Sequence, residues 1–257
     1  MDVSRLEQIS ISSRITLPDF TVKEIFMGFY ETSNTKSETL LNIIKDILLR
    51  YELDITKLRG QCFNGAANMS GKYSGVQTLL RKLESRVLFV HCTAHILNLV
   101  AQDAMKNVEM INNFIGVAKD VISFIRDFPK RIAIFKDLQA TCDENLPALS
   151  SFCPTSWGAN FTYPCMRVKS LKTIAANYEQ ILFFLDEIST NKTDAGSKAN
   201  GFSQYLQSFE FYFCLLISIQ ALEKIEILNA QLQKSDLNLC ELHEKVKAIL
   251  ECIVEIR

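Results

Sequence analysis

The sequence is short of the features that would place it in a special class. Over its 257 residues the most apolar stretch, Phe211 to Ile219, is about half of what a bilayer-spanning helix takes. MDVSRLEQIS carries charge where a signal peptide needs an apolar run, so the expected setting is cytosolic or nuclear, with no membrane partner. Charge of one sign is not in excess either. There are 28 Lys and Arg against 29 Asp and Glu, a formal net charge of −1 with pI near 6.3. Whole-molecule attraction to nucleic acid or to an anionic membrane is thereby excluded, and any such binding is confined to a local patch. The eight cysteines form no CxxC pair, which argues against a zinc finger. Without a secretory signal they are expected to be reduced thiols rather than a disulfide framework. Tryptophan occurs once, at Trp157, and the sequence has no internal repeat, no low-complexity tract and no GxxxxGK[ST] phosphate loop.

What is present is the composition of an ordinary globular protein, 48% hydrophobic. At this length a compact fold buries roughly 70 to 75% of its unfolded surface, so no metal or disulfide is needed for stability. Two regimes meet near residue 105. In the first, strand-like and helix-like patterns alternate. Ile9, Ile11 and Ile15 alternate with polar residues, and Pro18-Asp19 supplies a turn before the apolar run Ile25 to Tyr30, which predicts an antiparallel hairpin. Thr35 and Glu38 have capping-box spacing, and Leu40, Ile44, Ile47, Leu48 and Tyr51 fall on one face of a helix over 36–51. A strand at 58–63, a small-residue turn at 64–71, a helix near 73–84 and a buried-type strand at 87–90 follow. Then comes a helix with Leu97, Val100, Ala101 and Ala104 inward. This order predicts an α/β fold, a mixed sheet with helices on it.

From 105 onward helical patterns take over, broken at Pro129, Pro147, Pro154, Pro164 and the polar stretch Thr190 to Gly201. Ile181, Leu182, Leu185 and Ile188 share a face, as do Leu206, Phe209, Phe213 and Leu216. Leu239, Leu242, Val246, Ile249, Ile253 and Ile256 form a heptad-like stripe. The stripe is too short for a coiled coil and fits intramolecular core, though it could also pair with a partner helix.

Four groups could carry chemistry. RGQCFNGAANMSGKYSG, Arg59 to Gly75, is either a strand end presenting Asn64 at the carboxyl edge of a sheet, or a tight turn whose small residues only shape the backbone. His91, Cys92 and His95 close a strand and open a helix. A zinc site wants further ligands, and the remaining histidine, His243, lies in a distant helical region, so a structural junction is the simpler reading. Lys72, Arg81, Lys82 and Arg86 form a basic cluster opposed only by Glu84, which could meet phosphates or be a solvated helix face. Trp157 could stack on a base or simply pack against helices.

Read together, DITKLRGQCFNGAANMSGKYSGVQ and VLFVHCTAHILNLVAQDA resemble the hAT transposase family, in its branch of transposon-derived zinc finger MYM-type proteins. CPTSWGANF, LKTIAANYEQIL and FSQYLQSFEFYFCLLI are similar to the helical region of that branch, so the resemblance covers nearly the whole chain. It implies an RNase H-like fold with a helical domain inserted into it, and an activity that cuts and joins DNA through two Asp and one Glu holding divalent metals. The family's second Asp sits in the motif DGAxNM, where this chain has Asn64, a neutral amide. The strand carrying the first Asp would lie upstream of Met1, and the final Glu beyond Arg257. The expected architecture is therefore a truncated RNase H-like mixed sheet at 1–105, lacking its first, central strand, then an all-α insertion-type domain at 106–257. Without that strand, two sheet halves would expose unpaired edges.

His91, Cys92 and His95 match the family's HCxAH motif, and Trp157 the Trp of its TRW motif, with Ser156 in place of Arg. The expected function is a non-catalytic, transposase-derived nuclear module without metal or cofactor. It would meet DNA through Lys72, Arg81, Lys82 and Trp157, and protein through its carboxyl-terminal helices. An active transposase completed by flanking segments, and a remnant without function, are the alternatives.

Overall fold

The structure, a computed structural model, describes residues 7–142, 145–150, 163–234 and 239–255. It is mostly helical, with small sheets near the amino terminus. The chain forms two compact units, one made chiefly of residues up to Leu99 and the other chiefly of residues from Val100 on.

In the first unit β1 (Gln8–Thr16) pairs antiparallel with β2 (Val22–Glu31), as the alternation predicts, and Ile9, Ile11, Ser13 and Ile15 are the half-buried positions of β1. The register shifts between Ile11 and Ser12, where Gly28 takes φ +126°, a backbone conformation that a side chain resists. α1 (Ser37–Arg50) follows, with Leu40 and Ile47 buried. The expected capping box is not formed. Lys36 occupies the cap without a side-chain bond, and the start of the helix is tied to a distant turn. Asn68 Nδ2 donates to the Thr35 carbonyl at 2.7 Å, and Ser37 Oγ donates to the Asn68 carbonyl at 2.8 Å. Tyr51, expected on the inner face, lies past the helix end and is exposed.

A short 3-10 turn, Ile55–Lys57, leads into β3 (Gly60–Phe63). The small-residue turn after it contains one helical turn, α2 (Ala67–Ser70), before α3 (Val76–Leu83). β4 (Leu88–His91) pairs parallel with β3 in the register Gly60 to Leu88 through Phe63 to His91. Antiparallel and parallel pairing are thus both present, divided between two two-stranded sheets. β4 is not the buried strand its composition suggested: Leu88 and Val90 are exposed, since among the described residues only β3 pairs with it. The core here is Leu40, Val76 and Leu80, joined by Ile9, Leu41, Ile44, Ile55, Leu58, Phe63 and Met69. Leu40 and Ile44, and Val76 and Leu80, are i,i+4 pairs that turn the apolar faces of α1 and α3 into it.

α4 (Thr93–Lys106) buries Ala94, Asn98 and Ala101; of the residues expected inward, Ala101 is buried and Leu97 half-buried, whereas Val100 and Ala104 are exposed. The second unit continues with α5 (Glu109–Arg126), α6 (Pro129–Ala140), α7 (Tyr163–Ala176), α8 (Tyr178–Ser189), α9 (Asp194–Leu206), α10 (Phe209–Leu232) and α11 (Leu239–Val254). Its core includes Phe114, Ile122, Ile125, Leu171, Ile174, Phe184, Leu206, Phe211 and Leu215. Ile181, Leu185 and Ile188 are buried together as their spacing predicts. The polar stretch at 190–201, expected to break the helices, is mostly the start of α9, where the Thr193 hydroxyl accepts from the Gly196 N–H. Leu206 and Phe209 belong to different helices, and Phe209, Phe213 and Leu216 are exposed while Phe211, Cys214 and Leu215 are buried. In α11 Leu242, Val246, Ile249 and Ile253 are half-buried, and Ile256 lies outside the described residues. No helix among the described residues is long and apolar enough to cross a membrane.

Phe184 is fully buried, its ring 6.3 Å from Phe124 and 6.0 Å from Phe135. Phe184→Ala should cost about 3–5 kcal/mol in denaturant unfolding. Truncating its neighbour Phe183, which is 63% exposed, should stay within about 0.5 kcal/mol. Equal costs for the two would contradict this core.

Candidate nucleic-acid interface

The basic cluster is assembled by the turn between α2 and α3. A Cβ on Gly71 would sit 2.3 Å from the Ala67 carbonyl oxygen, and Gly75 approaches Gly71 so closely that a Cβ on Gly75 would sit 2.4 Å from the Gly71 nitrogen. Only glycine fits at either position. The Gly75 N–H donates to the Gly71 carbonyl at 3.0 Å, closing the loop. Two side chains from the first turn of α3 then fix it from the other side. Gln77 Nε2 donates to the same carbonyl at 3.3 Å, and the Thr78 hydroxyl lies 3.0 Å from the carbonyls of both Gly71 and Lys72. Gln77 is itself held, because its backbone carbonyl accepts from Gln61 Nε2 of β3 at 2.9 Å.

This locks the Lys72 backbone against α3. On the helix Thr78, Arg81 and Lys82 stand at i, i+3 and i+4, on a face away from the Val76 and Leu80 pair in the core. Lys72, Gln77, Thr78, Arg81 and Lys82 together line a surface cavity of about 330 Å³. The structure therefore brings together three of the four cations of the basic cluster, beside an amide and a hydroxyl whose hydrogens are spent on holding the loop. All three cations are exposed, and none enters an ion pair among the described residues.

Arg86 does not join them. Its Nε and one terminal nitrogen donate to Glu84 at 2.7 and 2.8 Å, and the same terminal nitrogen donates to the Thr56 carbonyl at 2.9 Å. Glu84 also accepts from the Arg86 backbone N–H at 3.0 Å. These hydrogen bonds hold the Glu84 carboxyl far down, to about 2, against the smaller opposing effect of burial. Glu84, the acid that follows Lys82 most closely in the sequence, is thus bonded to Arg86.

Asn64 follows β3, and its Oδ1 accepts from the Ala66 N–H at 3.2 Å, so the side chain shapes the turn. His91 is exposed and packs edge-on to the Phe89 ring at 4.7 Å, while the His95 ring lies beside Gly65. Among the described residues no three His, Cys, Asp or Glu side chains are grouped to hold a metal ion. Trp157 lies outside the described residues.

One contact was missed in the sequence. The Cys92 N–H donates to the Phe63 carbonyl at 2.9 Å, which places Cys92 beside β3, and its thiol meets that of Cys62 in a hydrogen bond. The bond from Cys62 lowers Cys92 to about 6, aided by the backbone N–H groups of His95 and Ala94 and by the His95 ring, and opposed by burial. Cys62 is pushed up, first by its bond to Cys92 and then by burial.

Two family models match the sequence. The RNase-like domain of ZMYM1/FAM200 matches residues 1–75, and the ZBED1 RNase-like helical domain matches residues 90–193. The chain carries RNase-like, transposase-derived domains. Both matches are consistent with a hAT-derived, transposase-like protein, as the motifs around Asn64 and His91 suggested. In this transposase-like chain Asn64 and Lys72 fall in the first matched range, and His91, Cys92, His95 and Trp157 in the second. Arg81 and Lys82 lie between the two ranges.

The Glu84 bonds have a pH signature. A carboxyl with a folded value near 2 and an ordinary value of 4.5 stabilises the fold fully above 4.5 and loses that contribution as pH falls toward 2. Glu84→Gln should lower the thermal midpoint at pH 7, and the gap to wild type should close between about pH 4.5 and 2. A gap independent of pH would mean that packing, and not the bonded charge, is what the substitution removes.

Proposed function

We propose that this chain is a non-catalytic, transposase-derived nuclear module that holds a nucleic-acid backbone through Lys72, Arg81 and Lys82. The observation that carries the reading is the cavity itself. Three exposed cations that form no ion pair among the described residues and line one hollow are a donor set that phosphate oxygens take. The net charge of −1 makes this a local contact, without long-range steering by the whole molecule. Phosphate contacts of this kind position a duplex without reading its sequence.

Catalysis is no part of the reading, for a chemical reason. Where the family resemblance expects a metal-holding Asp, Asn64 offers a neutral amide whose oxygen is already turned to the Ala66 N–H. The half-buried stripe of α11, with Leu250 and Val254 exposed beside it, is the element through which a protein partner would be met.

Fluorescence anisotropy with a labelled duplex over a salt series tests the proposal. Each of Lys72→Ala, Arg81→Ala and Lys82→Ala should weaken binding on any duplex sequence and flatten the slope of log affinity against log salt by about 0.9. The duplex should stay uncut with Mg²⁺ present. A slope unchanged in all three variants removes the cavity from the account, and metal-dependent nicking removes the non-catalytic assignment.

A further inference from the structure

The pair Cys62 and Cys92 has no part in the proposed nucleic-acid contact, and its arrangement is unlike that of the other described cysteines. Cys62 lies on β3 and is exposed. Cys92 follows β4, is half-buried and immediately precedes the 14-residue helix α4. Parallel pairing sets Cys62 opposite Val90, two residues before Cys92, and the bond from the Cys92 N–H to the Phe63 carbonyl continues that register. Alternate residues of a strand share a face, so the two thiols meet on one side of the sheet. Their sulfurs are in hydrogen-bond contact. The Cys92 sulfur also accepts from the backbone N–H groups of Ala94 and His95 in the first turn of α4. The charged or titratable neighbours acting on the pair are the His95 ring, on Cys92, and Arg14 of β1, on Cys62.

We infer that Cys62 and Cys92 form a peroxide-oxidisable dithiol, with Cys92 as the attacking sulfur and Cys62 as the resolving one. In the first step the Cys92 thiolate sulfur bonds to one oxygen of a hydroperoxide and the O–O bond breaks. The leaving hydroxide takes up the proton that Cys92 released on ionising, and Cys92 is left as a sulfenic acid. In the second step the Cys62 sulfur bonds to the Cys92 sulfur and the S–O bond breaks. The departing hydroxide carries off the Cys62 proton as water. The two sulfurs together give up two electrons, and one hydrogen peroxide becomes two waters. The crosslink closes a loop that contains Lys72, Arg81 and Lys82, so oxidation would staple the segment carrying the cationic cavity to the base of α4.

Stepwise addition of hydrogen peroxide to the full chain, quenched with an alkylating agent and mapped by non-reducing peptide mass spectrometry, decides the matter. The expected first product is a peptide joining Cys62 to Cys92, reversed by dithiothreitol, and it should appear about tenfold or more before exposed Cys240 is oxidised. Cys62→Ser should leave Cys92 as a sulfenic acid that a cyclic 1,3-dione captures, and Cys92→Ser should abolish the early reaction. Circular dichroism confirms that each variant folds, and if one does not, the wild-type peptide map decides alone. Oxidation spread evenly over the cysteines, or a Cys92 still open to alkylation once Cys240 has reacted, would overturn the inference.

Discussion

The cationic surface of the first unit depends on the close approach of Gly71 to Gly75. A single carbonyl oxygen, that of Gly71, receives the Gly75 N–H and the Gln77 amide and lies within bonding distance of the Thr78 hydroxyl. Two glycines without side chains let the backbone fold back on itself at that point, and α3 then begins with its polar first turn clamped to the loop. The position of Lys72 relative to Arg81 and Lys82 is a consequence. Substituting either glycine would spread the loop and disperse the charge, without removing any cation.

The same segment connects outward to its neighbours by a few specific bonds. Asn68 reaches the start of α1, Gln61 reaches Gln77 from β3, and Val76 and Leu80 enter the core with Leu40. The cationic surface is therefore supported by a small packed core. This matters because like charges held together repel, and the arrangement persists only where the backbone beneath it is fixed by interactions that do not involve the charges.

Much of this could be read in the sequence where period and composition agree. The alternation of Ile9, Ile11 and Ile15, the spacing of Leu40, Ile44 and Ile47, and the face of Ile181, Leu185 and Ile188 each point to one element and one buried side. α10 did not yield in the same way. Phe209, Phe211, Phe213, Leu215 and Leu216 make it apolar on every side, so periodicity cannot choose a face, and the break at Gln207 and Ser208 carries no Pro or Gly to announce it. The capping box at Thr35 is not formed because the helix starts one residue later, at Ser37, which leaves Lys36 at the cap. Of the candidate site, the cations were visible as a charge cluster, but the separation of Arg86 from it follows from bonds to Glu84 and Thr56 that no local pattern encodes. Cys62 and Cys92 were invisible as a pair for the same reason: strand pairing, not spacing, makes them neighbours.

The central claim is that the loop and helix around the cavity form one surface that a nucleic-acid backbone occupies. Amide hydrogen exchange of the full chain, with and without a short duplex at low salt, tests it most directly. The account predicts slowed exchange concentrated over residues 71–82, reversed by added salt. Unchanged exchange there, or protection confined to other segments while the duplex is demonstrably bound, would contradict it.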